Sequence, residues 1–322
     1  FDGTPVSLFS AVMTLYTSAA VAPSVMTVPL PIASSEITAP LLYPVYHWVR
    51  PYRAHAFEVA LYAEDPTENP DAEPIDTMTT RLSEIYDRKP RIGPGFFYWR
   101  VRSLDEADEP ASDWSPVLKF RNDPKDNWEI AVFGDSISHG GGHISYGPAD
   151  HEFSWLSYLD FPAINLSMSG DTSETMLERF EADVLPFHPR YLLILNGTNS
   201  LRADVSAAEV IADLEELKAR CLANGIRPIF LTLPPINPEN IARAFDEPTA
   251  DDWQTQFSLV NAFLRTEVHI DVAAAFSTHP LLPTELALDG LHEDVIGKQL
   301  IAQTVNRAWQ EAKQQADRLP VQ

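Results

Sequence analysis

The sequence predicts a chain in two parts, an all-β sandwich followed by a three-layer α/β/α domain built on a five-stranded parallel sheet. Three observations carry this expectation. Apolar and polar residues alternate over residues 37–122, short apolar runs recur beyond residue 127, and stripes of helical period lie between those runs. Strands joined through helices run parallel, and a parallel sheet needs cover on both faces, so its strands read as unbroken apolar runs.

Residues 1–36 form a segment of their own. From 3 to 35 there is no charged side chain, yet Pro5, Pro23, Pro29 and Pro31 interrupt the run and no Lys or Arg precedes it. The run has the makings of neither a signal peptide nor a membrane span. A strand or short helix packed on the sandwich is the expectation. In the 37–122 unit the alternation is carried by Phe57, Val59 and Leu61, then Phe97, Trp99 and Val101, then Leu118 and Phe120. The acidic stretches EDPTENPDAEP and DEADEPASD supply turns between them. With Trp48 in YHWVRP, the strand YWRVRSLD and the final strand WSPVLKF, this unit resembles a fibronectin type III-like domain. The resemblance implies an antiparallel sandwich.

After the polar linker RNDPKDN comes the 127–322 unit. Strands are expected at 129–133, 163–167, 191–195, 227–233 and 268–272. The clearest helix spans 206–223, where Ser206 and Glu209 make a capping box and Val210, Leu214, Leu217 and Cys221 share one stripe. The last helix starts near Asp294 and runs through Val295, Leu300, Val305 and Trp309.

Composition narrows the function. With 46 acidic against 23 basic side chains the net charge is −23, which repels a nucleic-acid backbone or an anionic lipid surface. Cys221 is the single cysteine, so there is no intrachain disulfide and no cysteine-rich metal site, and its helical stripe makes it core. The start at Phe1 rather than Met is compatible with a mature secreted protein, and a secreted or cell-surface bacterial location is the expectation. No nucleic-acid partner and no membrane span are expected, and the sequence leaves the oligomeric state open.

Four short blocks can carry chemistry. Gly134-Asp135-Ser136 closes the first α/β strand, and no G-x-S-x-G occurs anywhere. Asp289 precedes His292 by three positions, a spacing that lets one turn aim both side chains at a serine. Gly170 and Gly197-Thr198-Asn199 each follow a strand, where N–H donors could meet the negative charge of an acyl-transfer transition state. Each block also has a plain structural reading: helix caps for Asp289, His292 and Asn199, a turn for Gly170. Asp135 is expected to bond local backbone. His139 and His143 flank three glycines that read as a flexible rim, with no cluster to complete a metal site. Trp155, Tyr146 and PPINPENIARAF are candidates for lining a pocket, although a tryptophan at helical spacing with Leu159, as Trp155 is, is more often core.

Over residues 129–312 these ordered blocks resemble the SGNH, or GDSL-type, hydrolase superfamily. The resemblance implies a serine esterase with a catalytic triad of Ser136, Asp289 and His292. It also implies an oxyanion hole from the Ser136 and Gly170 amides and the Asn199 side chain, with no metal or organic cofactor. One departure stands out: Ser200 follows Asn199 where the family usually has aspartate, which puts the pose of Asn199 in question. The implied substrates are short acyl esters, acetyl foremost, on a small molecule or carbohydrate. The run NLSMSGDTSETMLERF also resembles the lysophospholipase and thioesterase branch, and a non-catalytic binding or adhesion protein is the rival from another class.

Overall fold

The computed structural model describes residues 28–32, 40–142 and 150–321, and within them the change of period near residue 127 coincides with a change of sheet type. The strands of the first part are β1 (Leu30–Pro31), β2 (Val45–Val49), β3 (Ala56–Tyr62), β4 (Asp76–Thr80), β5 (Glu84–Tyr86), β6 (Phe97–Leu104) and β7 (Leu118–Phe120). They form two antiparallel sheets, ordered β1-β2-β5 and β4-β3-β6-β7. The inward residues of both meet in one core of Tyr46, Trp48, Phe57, Val59, Leu61, Trp99, Val101 and Phe120. Of the uncharged N-terminal stretch, Leu30–Pro31 pairs with β2; the rest of the expectation, on residues 1–27 and 33–36, lies outside the described residues.

The second part runs β8 (Ile130–Gly134), α1 (Ser136–His139), β9 (Ile164–Asn165), α2 (Ser173–Asp183), β10 (Tyr191–Leu195), α3 (Thr198–Arg202), α4 (Ala207–Ala223), β11 (Arg227–Leu231), α5 (Pro238–Phe245), α6 (Trp253–Leu264), β12 (His269–Ile270) and α7 (Val295–Ala316). Its five strands are all parallel, in the order β12-β11-β10-β8-β9. Every residue of β8 and β10 is buried, as strands covered on both faces must be. Strands β9 and β12 are shorter than the sequence suggests: β9 pairs with β8 over two residues, and β12, at the sheet edge, pairs with β11 over two. The capping box of Ser206 and Glu209 starts α4, and Val210, Leu214, Leu217 and Cys221 form its buried stripe. Helix α7 buries Ile301, Val305 and Trp309, with Trp309 stacked on Phe161 at 4.5 Å.

The two parts are joined by more than a linker. Leu41 bridges Asn165 in parallel register, Leu42 N donates to Asn165 O (2.9 Å) and Asn165 N donates to Pro40 O (3.0 Å), so this segment extends the sheet beside β9. Leu42 and Tyr43, inside the 37–122 span, are buried in the α/β core. The Tyr43 hydroxyl donates to Asp183 at 2.6 Å, and burial next to that carboxylate pushes its pKa up. The linker is itself ordered: Asp123 caps a short turn over Pro124–Asp126, and Asn122 Nδ2 donates to Leu41 O at 2.6 Å.

His139 completes the seam. A carbonyl can only accept and a peptide N–H only donate, so its contacts fix the tautomer: Nε2–H donates to Tyr43 O (2.7 Å) and Nδ1 accepts from Ser169 N (3.2 Å). Full burial depresses its pKa to about 4, against the smaller opposing effect of the Tyr43 carbonyl.

Two expectations follow from the seam. Leu42→Ala should destabilise the whole chain by about 2–5 kcal/mol in urea unfolding, as a core truncation does, and a loss well under 1 kcal/mol would detach Leu42 from the α/β core. His139 takes up a proton on unfolding between its ordinary 6.5 and its native value of about 4, so stability should fall as pH drops through that window and be fully present above it. The native-minus-variant stability difference against His139→Gln, which cannot take up the proton, should shrink by up to about 3 kcal/mol from pH 7 to pH 4. A pH-independent difference would refute the buried neutral imidazole.

Candidate active site

Strand β8 ends level with β10, Gly134 opposite Leu195. A Cβ on Gly134 would stand 2.7 Å from Leu195 O and 2.9 Å from Ser138 Oγ. The glycine is therefore required by close approach rather than by a positive φ. The chain then turns into α1, one turn long and too short to hold itself. Its polar groups are satisfied from outside. Asp135 Oδ1 accepts Ile137 N (2.9 Å), and Asp135 O accepts Ser138 N and His139 N. At the other end Lys298 Nζ donates to Ile137 O (2.8 Å) and Asn165 Nδ2 to Ser138 O (2.8 Å) and His139 O (3.1 Å). Asp135 thus serves local backbone, and its full burial raises its pKa to about 7 against the pull of the Ile137 N–H. The N–H of Ser136 has no acceptor among the described residues.

The turn ahead of α7 brings the second block to Ser136. Asp289 Oδ1 accepts both Leu291 N and His292 N at 2.8 Å, while Oδ2 accepts Nδ1–H of His292 at 2.9 Å. That leaves His292 Nε2 as an acceptor, 2.8 Å from Ser136 Oγ. Burial pushes the Asp289 carboxyl up, but His292 and the two N–H donors outweigh it and hold the group below the usual carboxylate range. Gly290 has φ +81°, and a side chain there would collide with Asn237 and Asn240. Helix α7 is capped at Asp294, so Asp289 and His292 are not its caps.

Gly170, after β9, has φ +94° and lines the same cleft, its N–H without an acceptor among the described residues. Asn199, in α3, donates one amide hydrogen to Asp171 O at 2.8 Å and faces the cleft. The serine at position 200 links this loop to the start of α2 and, through it, to α4. Ser200 Oγ accepts Ser173 N (2.9 Å) and meets Ser173 Oγ (3.1 Å), which donates to Asp213 of α4 at 2.6 Å. The loop is braced, and Asn199 keeps its place.

The cleft has a volume of about 410 Å³. Besides the residues above it is lined by Tyr86 and Arg88 from the sandwich and by Arg202, Phe245 and Glu247, of which only Phe245 falls in a segment that the sequence singles out. The Phe245 ring stands edge-on to His292 at 5.8 Å, at the end of the expected PPINPENIARAF loop, most of which is α5. Trp155 is fully buried core, its Nε1 3.4 Å from Ser138 Oγ. Tyr146 and His143 lie outside the described residues. The glycine rim is packed rather than loose: Gly140, Gly141 and Gly142 are buried, and Gly141 N donates to Phe153 O at 3.1 Å. Both ring nitrogens of His139 are engaged, and among the described residues no cluster of three or more His, Cys, Asp or Glu could hold a metal.

Similar proteins include an uncharacterized lipoprotein of Bacillus subtilis (strain 168), 28% identical over 120 residues, which cover 34% of this chain and 49% of the relative. The chain thus spans about half the length of that curated relative. Among solved structures, the lipase/acylhydrolase from Enterococcus faecalis is 23% identical, with 61% of this chain and 99% of that one covered at a TM-score of 0.46. A GDSL-like lipase from Bacteroides thetaiotaomicron is 18% identical, with 58% and 90% covered at 0.45. A mutant acetyl-xylooligosaccharide esterase from Geobacillus is 22% identical, with 55% and 92% covered at 0.41. The family model for GDSL-like lipases and acylhydrolases matches residues 132–300, just over half of the chain, from within β8 into α7. On that match the chain belongs to the GDSL-like lipase/acylhydrolase family.

Proposed function

We propose that the protein hydrolyses short acyl esters, acetyl foremost, on carbohydrates through an acyl-enzyme formed on Ser136. The observation that carries this reading is the unbroken hydrogen-bonded series from Ser136 Oγ through His292 (2.8 Å) to Asp289 (2.9 Å). Ser136 Oγ attacks the ester carbonyl carbon while His292 Nε2 takes its proton, and Asp289 holds the ring in the required tautomer and stabilises the imidazolium. The oxyanion is met by the unpaired N–H groups of Ser136 and Gly170 and by the Asn199 amide. Collapse expels the alcohol, which leaves with the proton from His292. Water, deprotonated by His292, then attacks the acyl carbon and releases the acid, and the proton returns to Ser136.

The cleft favours a short acyl group over the longer chains of a lysophospholipase or thioesterase. Its described walls are glycine, polar and charged residues, with Tyr86, Phe245 and Leu291 the apolar exceptions, and a long alkyl chain has little surface to bury against. The 37–122 unit, with its sheets ordered β1-β2-β5 and β4-β3-β6-β7, we assign to the fibronectin type III-like class, with the 127–322 unit as the catalytic one. The lipoprotein relative supports a secreted or cell-surface location, and no helix among the described residues is long and apolar enough to cross a membrane.

A fluorophosphonate should label the protein at Ser136, and Ser136→Ala should lose the label and roughly 10³–10⁶-fold in turnover of p-nitrophenyl acetate with the fold intact. Retained activity in that variant would remove the nucleophile assignment and leave the adhesion rival. Asn199→Ala should lower kcat about 10²-fold with KM little changed. A change confined to KM would make Asn199 a substrate-binding residue instead.

A further inference from the structure

One wall of the cleft comes from the sandwich. Arg88 lies in the segment that follows β5, and that segment is clamped at both ends. Asp87 is 3% exposed, accepts the Tyr46 hydroxyl (3.0 Å) and Arg91 Nε (2.6 Å), and its own N donates to Pro44 O (2.9 Å). Arg91, 8% exposed, also reaches Asp76 at 2.6 Å, and its N donates to Leu42 O at 2.9 Å. The backbone of the three residues between these buried anchors, Arg88, Lys89 and Pro90, is held from both ends. Arg88 projects into the cleft from them, with Nη1 donating to Ser169 O (3.2 Å) and the guanidinium 5.9 Å from the centre of the Tyr86 ring.

Those contacts occupy one of five guanidinium N–H donors and none of the positive charge. The cleft's other arginine, Arg202, is paired with Glu247 at 3.2 Å, whereas no carboxylate among the described residues pairs with Arg88. In a chain with 46 acidic and 23 basic side chains, an arginine without a carboxylate at the mouth of the reaction cleft has an open valence for an anion. Arg88 Nη1 is also bonded to the carbonyl of the residue before Gly170, so an anion engaging Arg88 is placed beside the proposed oxyanion loop. The planar guanidinium matches a carboxylate through two parallel bonds.

We propose that Arg88 is a specificity-determining residue that binds a carboxylate on the alcohol part of the ester, so that the substrate class is acyl esters of acidic saccharides. The proposal rests on the serine-hydrolase reading of Ser136. Tyr86, beside Arg88, gives such a sugar an aromatic surface, and the sandwich becomes part of the substrate site rather than an appended module.

The test compares 4-acetoxybenzoate with its neutral methyl ester, as the ratio of their kcat/KM values in the full chain at fixed salt. Arg88→Gln should lower that ratio about 10-fold or more, Arg88→Glu further still, and Arg88→Lys should keep much of it. Because the ratio is taken within each variant, a general loss of activity does not imitate the effect. A ratio equal to the native one in both Arg88→Gln and Arg88→Glu overturns the proposal. So does a native protein in which O-acetylated oligogalacturonate releases acetate no faster than the same oligomer with its carboxylates methyl-esterified. Fluorophosphonate labelling of Ser136 keeps the two readings apart: a labelled protein with an unchanged ratio loses only the Arg88 assignment, whereas an unlabelled one loses the hydrolase mechanism itself.

Discussion

The contact between the ends of β8 and β10 governs the rest of the site. Leu195 O stands so near Gly134 that no side chain fits between the strands, and this brings the chain segments leaving them into one crevice. The topology widens that crevice. From β8 the chain crosses to β9 on one side and returns to β10 on the other, so the following loops diverge at the carboxyl edge, where open α/β sheets bind ligands. Ser136, Gly170 and Asn199 follow β8, β9 and β10, and the turn before α7 closes over them with Asp289 and His292. Five residues spread over more than 150 positions meet because the strand order leaves one place for them to meet.

What that place offers is a pattern of satisfied and unsatisfied groups. In α1 the N–H groups of Ile137, Ser138 and His139 are all taken up by Asp135, and only that of Ser136 is left open. The Gly170 N–H is open for a different reason: its φ of +94° belongs to a conformation that side chains resist, and the helix that follows begins only at Ser173. At Ser136, which is buried, a free donor carries a cost that the surrounding bonds offset, whereas Gly170 is exposed; on the proposed mechanism both donors gain their return when negative charge develops between them. The carboxylate of Asp289 is the complementary case. Three donors hold it charged despite burial, and a charged, immobile carboxylate fixes which nitrogen of His292 faces the serine.

The parts of this that were legible in the sequence are those with a local signature. The apolar runs of β8 and β10 and the capped stripe of α4 depend on their own residues, and the blocks at 134–136 and 197–199 sit at strand ends that those runs define, while 170 follows β9 and 289–292 precedes the last helix. The shortening of β9 and β12 was not legible, because ladder length depends on the neighbour. Nor was the membership of Leu42 and Tyr43 in the α/β core, since an apolar pair ahead of a β-strand looks the same whichever core receives it. The bracing of Ser200 through Ser173 to Asp213 joins three segments with no fixed spacing. Arg88 and Tyr86 lie about 50 positions before Ser136, in the antiparallel part of the chain, and only the packing of that part against the loop at Ser169 gives them a place in the cleft.

Beside the turn that carries Ser136 the structure accepts buried charge where an apolar core would serve stability as well. Lys298 and Glu293 are both fully buried, 3.5 Å apart, and burial drives the lysine's pKa down and the glutamate's up, each partly restrained by the other. Such pairs seldom stabilise a fold relative to well-packed hydrocarbon, because desolvation consumes the attraction. Position explains this one better. Lys298 lies in the first turn of α7, six residues after His292, and its Nζ donates to the Ile137 carbonyl in the turn that carries Ser136. A leucine of similar volume would leave that carbonyl unpaired, at about 1–3 kcal/mol, and would leave Glu293 without its counter-charge. The bond therefore ties the helix that follows the histidine to the turn that carries the serine, a second link between the two segments besides the Ser136–His292 contact. A one-turn helix has no cooperativity of its own to fix its position. The rigidity that α1 lacks is supplied by α7 through a lysine that the core would otherwise reject.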